Sequence, residues 1–323
     1  MDTQAVIMKY RDRIAERRKD ACKGDYGKLL VIAGSAGMVG AAYLSGLAAF
    51  RAGIGMVRFL GPEENRPILQ TLLPEAMYSV WPIAENAVLV DHRTDRGDHA
   101  DCDGDSSDDT LVFRKVLDWA THIVVGPGLS TDARAREKLH FLFRQDLSQK
   151  KLVLLDADAL NIIAEEGVEL REISSKQRES GSAAGEAKDP RICATNVVIT
   201  PHVGEMARLT GLSVEAILKD PEGTAKRYSA AHGCVTVLKN AVTYVSSPSG
   251  DVLENRSGHP AMAKAGSGDV LTGVIAGMAA VTGACVFDAA AAGTYIHGRA
   301  GTLAAQKKGT HSVLARDIAE NVS

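Results

Sequence analysis

Several ingredients are scarce in this sequence, and each scarcity removes a class of function. Aromatic residues make up only 5% of its 323 positions, too few for the stacking platforms on which single-stranded nucleic acids bind. Neither sign of charge dominates: 37 Lys and Arg against 40 Asp and Glu leave a formal net charge of -3, which argues against a dedicated nucleic-acid or anionic-membrane surface. No apolar run approaches the length of a membrane span. Residues 9–19 are charged and lack the apolar core of a signal peptide. The five cysteines, Cys22, Cys102, Cys193, Cys234 and Cys285, are scattered and form no C-x-x-C. A disulfide frame and a zinc knuckle are therefore not indicated, and a reducing, cytoplasmic setting is expected. The nine histidines have no metal-ligand spacing, so a histidine-held metal is not expected. Familiar nucleotide fingerprints are missing as well. Residues 34–40 lack the Lys-Ser/Thr of a Walker A loop, and Gly126-Pro127-Gly128 lacks the third glycine of a dinucleotide turn, which disfavours hydride transfer.

What is present is an alternation of apolar runs and helical patterns. The hydrophobic fraction of 45% is ample for a large core. Lys28-Leu29-Leu30-Val31-Ile32-Ala33 reads as a buried parallel strand, followed by a turn and an Ala-rich helix over 41–52. The unit recurs. Strands are expected at 56–60, 123–125, 152–155 and 197–199, with helices over 133–145, 159–166 and 204–210. The pattern predicts an α/β fold, a mostly parallel central sheet with helices on both faces. Residues 235–238 and 242–245 read as two strands around a tight bend, followed by helices over 270–281, 286–305 and 312–321. Residues 1–23 read as a charged arm or helix, and 24–323 as one domain. Two stretches break the rhythm: 91–110, rich in Asp and Gly, and 174–191, rich in Ser and Glu. Both read as solvated surface insertions.

The chemistry-bearing residues fall repeatedly just after strands, where an open parallel sheet binds its ligands. They are Gly34-Ser35, Gly126-Pro127-Gly128, Asp156-Ala157-Asp158, Thr200-Pro201-His202-Val203-Gly204-Glu205 and Gly266-Ser267-Gly268-Asp269. The last is the most informative. A flexible turn precedes an apolar helical run, so free N–H groups and the positive end of a helix dipole meet at a spot that glycines leave open. Asp269 stands at its rim. A phosphate held there beside a base suits phosphoryl transfer onto a hydroxyl. Each feature also has a plainer reading. Gly126-Pro127-Gly128 is read equally as a tight turn, Asp156 and Asp158 as turn and cap residues, and His202 as a satisfied loop histidine. On the same footing Ser267 is a helix cap, Asp269 a first-turn carboxylate and Lys239 a solvated hairpin lysine.

In combination and order, these residues resemble the ADP-dependent NAD(P)H-hydrate dehydratases, repair enzymes of three-layer ribokinase-like fold, from about Lys23 to the C-terminus. The resemblance rests on Gly24-Asp25-Tyr26-Gly27-Lys28 and on Ala33-Gly34-Ser35-x-x-Met38-x-Gly40-Ala41-Ala42. It continues through Val125-Gly126-Pro127-Gly128-Leu129, Leu155-Asp156-Ala157-Asp158-Ala159-Leu160 and Thr200-Pro201-His202-x-Gly204-Glu205. It ends with Ala263-Lys264-x-Gly266-Ser267-Gly268-Asp269-x-Leu271-Thr272-Gly273. It implies that (6S)-NADH or NADPH hydrate is phosphorylated on its C6 hydroxyl from ADP, leaving AMP, and that phosphate then departs to restore NADH or NADPH. ATP replaces ADP in eukaryotic relatives.

By position, the resemblance makes Asp269 the base and Gly266, Ser267 and Gly268 the anion hole. It gives Ala41, Gly128, His202, Gly268 and Asp269 to the hydrate. It gives Lys239, Asn240, Ala241, Val242 and Thr243 to the nucleotide, with Lys264 and Gly268. Asn240 replaces a glycine of the family pattern; asparagine tolerates the positive φ that glycine would allow. His202-x-x-Glu205 is similar to the superfamily's Asn-x-x-Glu, whose glutamate helps place Mg²⁺ through water. The resemblance also implies small-molecule partners only, with no nucleic acid or membrane, and a homo-oligomer, a tetramer in related proteins. A kinase for a small vitamin-precursor alcohol, or a non-catalytic nucleotide-binding module, would present the same motifs.

Overall fold

The structure is a computed structural model that describes residues 7–8, 14, 17–81, 108–175 and 195–322. After a 3₁₀ turn at Lys23–Tyr26 the chain forms β1 (Lys28–Ile32), α1 (Val39–Arg51), β2 (Met56–Gly61), α2 (Arg66–Leu72) and β3 (Met77–Val80). Then come α3 (Asp108–Trp119), β4 (His122–Val125), α4 (Ala133–Arg144), β5 (Leu152–Leu155), α5 (Asp158–Glu166) and α6 (Leu170–Ser175). The next stretch holds β6 (Val197–Ile199), α7 (Val203–Thr210), α8 (Val214–Lys219), α9 (Pro221–His232) and β7 (Val235–Leu238). The chain ends with β8 (Thr243–Ser246), β9 (Val252–Asn255), α10 (Ser267–Thr282), α11 (Val286–Lys308) and α12 (Ala315–Glu320).

The nine strands lie in one sheet of order β3-β2-β1-β4-β5-β6-β7-β8-β9. Pairings from β3 to β7 are parallel; β8 and β9 add an antiparallel edge. Alternate side chains of each strand feed separate cores. Leu29, Val31, Leu152 and Leu154 pack with α1, α10, α11 and α12. Leu30, Ile32, Val153 and Leu155 pack with α3, α4, α5 and α9. This is the three-layer architecture that the alternating pattern predicts.

The chain runs from β1 outward to β3, then crosses to β4 on the other side of β1. Strand order reverses there, so the loops after β1 and β4 diverge and a crevice opens at their C-terminal ends. The loops are tied at its floor: Gly34 N donates to Pro127 O at 2.9 Å and Ser35 N to Gly128 O at 2.6 Å.

Three expectations shift. Of the insertion read at 91–110, residues 108–110 open α3; of that at 174–191, residues 174–175 close α6; the remainder of both lies outside the described residues. Most of the arm at 1–23 does too. Helix α10 begins at Ser267, three residues before the expected start, with Gly266 as its N-cap at φ 89°. Ser267 is therefore not a cap, and Ser267, Gly268 and Asp269 form the first turn itself.

That turn is carried by close packing of α10 on α1. Gly273 and Gly277 face Ser45, Ala48, Ala49 and Ala52, and a Cβ built on Gly273 would collide with the Ser45 carbonyl oxygen and lie 2.8 Å from the Ala48 Cβ. Ser45 Oγ reaches across to the Asp269 carbonyl at 3.1 Å and to Thr272 Oγ1 at 3.0 Å. Gly273→Ala sets two effects in opposition. Helix propensity favours Ala by about 1 kcal/mol; overpacking against a backbone oxygen costs about 1–3 kcal/mol. We expect net destabilisation in urea unfolding at constant m-value; a stabilised variant would show that the helices are not held at this spacing.

Candidate active site

Each of the five post-strand loops supplies a piece of the site. At the crevice, a Cβ on Gly128 would lie 2.9 Å from the Ala41 Cβ and 3.0 Å from Met38 O. Two residues assigned to the hydrate from different motifs are thus in contact. The loop after β4 is pinned from α5: Ser130 N donates to Asp158 Oδ2 at 2.8 Å. Asp158 acts as this staple from the first turn of α5.

Asp156, the residue after β5, is only 1% exposed. Thr200 Oγ1 and Lys239 Nζ each donate to its Oδ1 at 2.7 Å. Lys239 is delivered by strand geometry: its N–H donates to Pro201 O at 2.8 Å, and a parallel bridge joins it to His202. Its Nζ is also 3.9 Å from Glu205 Oε2 and 3.4 Å from where a Cβ on Gly268 would sit. The solvated-hairpin reading of Lys239 therefore fails. Burial alone would lower its pKa, but the Asp156, Glu205 and Asp269 carboxylates more than compensate and raise it.

Above this ammonium stands the first turn of α10. The N–H groups of Gly268 and Asp269 make no main-chain hydrogen bond, as expected for N2 and N3 of a helix. Burial first, and then the nearby Asp156 charge, push the Asp269 carboxyl up to about 6, although Lys239 pulls the other way. The site thus pairs unfilled N–H donors with a carboxylate that holds a proton more tightly than usual and is still mostly ionised at neutral pH.

His202 and Glu205 form a reciprocal cap on α7. His202 Nδ1 accepts from Gly204 N at 2.9 Å and Glu205 N at 3.2 Å, and Glu205 Oε2 accepts from His202 N at 2.8 Å. The plain reading of His202 holds for Nδ1; Nε2 lies 3.2 Å from Glu205 Oε1. Burial lowers the pKa of His202 and raises that of Glu205. Among the described residues no group of three His, Cys, Asp or Glu is placed to enclose a metal ion.

The profile of the NAD(P)H-hydrate dehydratase family matches residues 29–323. The chain belongs to that family. It is 33% identical, over 94% of its length and 86% of the relative's, to the ADP-dependent (S)-NAD(P)H-hydrate dehydratase of Neisseria meningitidis serogroup B. It is also 33% identical, over 95% of its length, to the bifunctional NAD(P)H-hydrate repair enzyme of Moorella thermoacetica, of which it covers 51%. The chain thus spans about half the length of the bifunctional relatives it matches. Its fold superposes on the ADP/ATP-dependent NAD(P)H-hydrate dehydratase of Bacillus subtilis, co-crystallised with ATP/Mg²⁺, with a TM-score of 0.68 at 29% identity, covering 97% of this chain and 93% of the other.

Against this family pattern, the segment at 239–243 divides. Lys239 turns into the acidic cluster, while Asn240 and Ala241 are exposed. Asn240 does not adopt a positive φ; among the described non-glycine residues only Ser130 and Ala157 do. Its Oδ1 accepts from Ala241 N at 2.8 Å instead. The dehydratase glycine is thus replaced with no call on glycine's conformational range. Lys264 is exposed and donates to His311 O at 3.1 Å, away from the cluster. The sequence puts Asp156 and Thr200 in loops of interest but assigns neither a role in the site, and it singles out neither Ser45 nor His297. Asp156 could have been found from Lys239, since a lysine beside a buried strand end needs a carboxylate. Ser45 and His297 carry no motif; only packing reveals them.

The Asp269 shift has a consequence for stability. Its folded pKa of about 6 exceeds the ordinary 3.8, so the native state binds this proton more tightly than the unfolded chain. The associated stabilisation is complete below about pH 3.8 and is lost as pH rises through about 6. Asp269→Asn should therefore be more stable than the parent at pH 8, by at most about 3 kcal/mol. The gain should vanish below pH 4 when both are unfolded isothermally in denaturant.

Proposed function

We propose that the chain dehydrates NADH hydrate and NADPH hydrate, using ADP (or ATP) as phosphoryl donor and leaving AMP (or ADP) and phosphate. One juxtaposition carries this reading: a half-buried, ionisable carboxylate in the first turn of a helix whose leading N–H groups are unfilled, beside a lysine ammonium. The names of the relatives point to the same substrates.

In this scheme Asp269 takes the proton of the C6 hydroxyl as that oxygen attacks the terminal phosphorus of ADP, and the P–O bond to AMP breaks. The N–H groups of Gly268 and Asp269 face the charge that develops on the phosphoryl oxygens, fixed dipoles that need no rearrangement. The nitrogen lone pair of the reduced ring then expels phosphate with its bonding electrons, and loss of the C5 proton restores the double bond. Ala41 and Gly128 flank the hydrate, and residues 239–243 with Lys264 lie toward the nucleotide. Mg²⁺ would fit this site, with Glu205 as the residue that would hold it through water. Glu205 suits that role as a buried carboxylate beside a larger excess of negative charge, and magnesium ordinarily keeps several waters and few protein ligands. The ion would supply charge neutralisation for the phosphoryl group. We further read the protein as a homo-oligomer in a reducing, cytoplasmic compartment, the latter in keeping with the scattered cysteines and the absence of a C-x-x-C in the sequence.

The deciding assay incubates the protein with NADH hydrate and ADP or ATP while following phosphate release and recovery of reduced-nicotinamide absorbance together. Both should rise in step. A stable phosphorylated alcohol from some other substrate, with no absorbance change, would identify a kinase instead. Asp269→Asn should lower turnover by roughly 10²–10⁴-fold and leave ADP affinity largely intact; near-parental turnover would remove Asp269 as the base.

The pH profile provides a separate check. Asp269 must be ionised to accept a proton, so turnover should fall as pH drops through about 6. Lys239→Met removes the charge that holds this pKa down, so the acid limb should move to higher pH. A limb that stays in place would mean that another group controls it.

A further inference from the structure

Among the described residues the two non-glycines of positive φ, Ala157 and Ser130, meet at one point of this site. Ala157 has φ 51° and ψ -118°, and Ser130 has φ 72°. Ser130 N donates to Asp158 Oδ2 at 2.8 Å, so one hydrogen bond links the loop after β4 to the turn after β5. That turn is closed by Ala159 N on Asp156 O at 3.2 Å. Ala157 is its first central residue and takes the conformation of a type II′ turn, a place dominated by glycine because a Cβ is strained there. Such strain persists only where the surroundings over-determine it. On one side Asp156 is anchored by Thr200 and Lys239. On the other Asp158 holds Ser130. Behind, Gly126 lies so close that a Cβ on it would collide with Asp156 O. The turn thus sends its two carboxylates in different directions, one to the lysine and one to the loop that carries Gly128.

We propose that Ala157 and Asp158 form a strained joint that fixes the 126–130 loop against the lysine-bearing side of the site, and that both are positioning residues setting the affinity for the hydrate. The proposal rests on the reading that Gly128 flanks the hydrate. Any shift of that loop is felt at once. Met38 O and the Ala41 Cβ lie against Gly128, Ser35 N is bonded to its carbonyl at 2.6 Å, and Gly34 N to Pro127 O at 2.9 Å. Without the Asp158 carboxylate, Ser130 N loses its acceptor and the restraint on Ala157 weakens. The turn then relaxes toward negative φ and the loop moves away from Ala41. Glycine at 157 would keep the turn without help from the carboxylate.

The test compares Asp158→Ala, Asp158→Asn and the double variant Ala157→Gly/Asp158→Ala. Two quantities are read: KM for NADH hydrate beside KM for ADP, and hydrogen exchange of the Gly34 and Ser35 amides, which report on the loop's place. Asp158→Ala should raise KM for the hydrate roughly tenfold, leave KM for ADP within about twofold, and speed exchange of both amides roughly tenfold. Asp158→Asn removes the same charge but keeps an oxygen for Ser130 N. It should retain most of the affinity, which separates the hydrogen bond from the charge. The double variant should return to within about threefold of the parent in both readouts, because glycine holds the turn unaided. An unchanged hydrate KM in Asp158→Ala, an Asn variant as impaired as Ala at equal thermal stability, or a double variant no better than Asp158→Ala would overturn the proposal. The exchange measurement needs no substrate. An inactive parent whose amides follow this pattern would therefore reject the dehydratase reading and leave the joint's hold on the loop standing. Amides that exchange alike in the parent and Asp158→Ala would overturn the joint whatever the activity.

Discussion

A single half-buried ammonium organises the catalytic end of this fold. Lys239 has three carboxylates for neighbours: Asp156 at 2.7 Å, Glu205 at 3.9 Å and Asp269 further off. One cation cannot balance three anions in a medium that solvates charge poorly. Opposite charges about 4 Å apart attract by about 4 kcal/mol at the effective dielectric near a protein surface. The pair with Asp156 therefore persists, with the Thr200 hydroxyl on the same oxygen. Burial first, and the uncompensated Asp156 charge after it, make Asp269 and Glu205 hold their protons more tightly than usual. A base with raised proton affinity is what the proposed first step requires. The arrangement that makes the site negative also makes its base a better acceptor.

That same negative character sets the terms for binding a phosphate. The groups available to it are unfilled N–H dipoles at the head of α10, and these work only if the helix is held still. Small residues do the holding. Gly273 and Gly277 let α10 lie directly on α1, and the Ser45 and Thr272 hydroxyls both reach the Asp269 carbonyl. The glycine- and alanine-rich composition of α1, α10 and α11 is thus a geometric requirement of the anion site as well as a way to fill a core layer. A larger side chain here would move the N–H groups relative to Lys239, and a shift of 1 Å is enough to weaken a positioned charge interaction severely.

Much of this was legible in the sequence, for a definite reason. Strands β1, β4, β5 and β6 are buried on both faces, so each is an unbroken apolar run, and a glycine, aspartate or threonine loop follows each at the sheet's ligand-binding end. The order of those loops is the order found in the family, and the structure sets Ala41 beside Gly128 and Lys239 beside Gly268. Where the pattern failed, burial was partial or the motif was absent. The edge strand β3, Met77-Tyr78-Ser79-Val80, is half-buried throughout and has no alternation to read. Helices α8 and α9 follow one another with only Asp220 between them, and α9 mixes Lys226, Arg227 and His232 with Ala. The start of α10 was placed late because Gly266-Ser267-Gly268 reads as a turn; propensity there yields to the capping geometry of Gly266 and to tertiary packing. Asp156 was missed as a partner because its significance lies in a contact 83 residues away.

The inventory of proton donors suggests why a dehydration would proceed through phosphorylation on the proposed reading. Expelling hydroxide directly requires a proton on the departing oxygen at neutral pH. Asp269, with its carboxyl at about 6, is mostly ionised there. His297 is uncharged. His202 spends Nδ1 on the amides of α7, and burial lowers its pKa. Lys239, its pKa raised by three carboxylates, holds its proton too firmly to give it up. The site is thus rich in bases and anion donors and poor in acids of useful strength. Such a site is suited to removing the hydroxyl proton and placing a phosphoryl group on the oxygen, which turns a poor leaving group into a good one without any strong acid. The nucleotide would then supply the driving force that a buried acid supplies in other dehydrations.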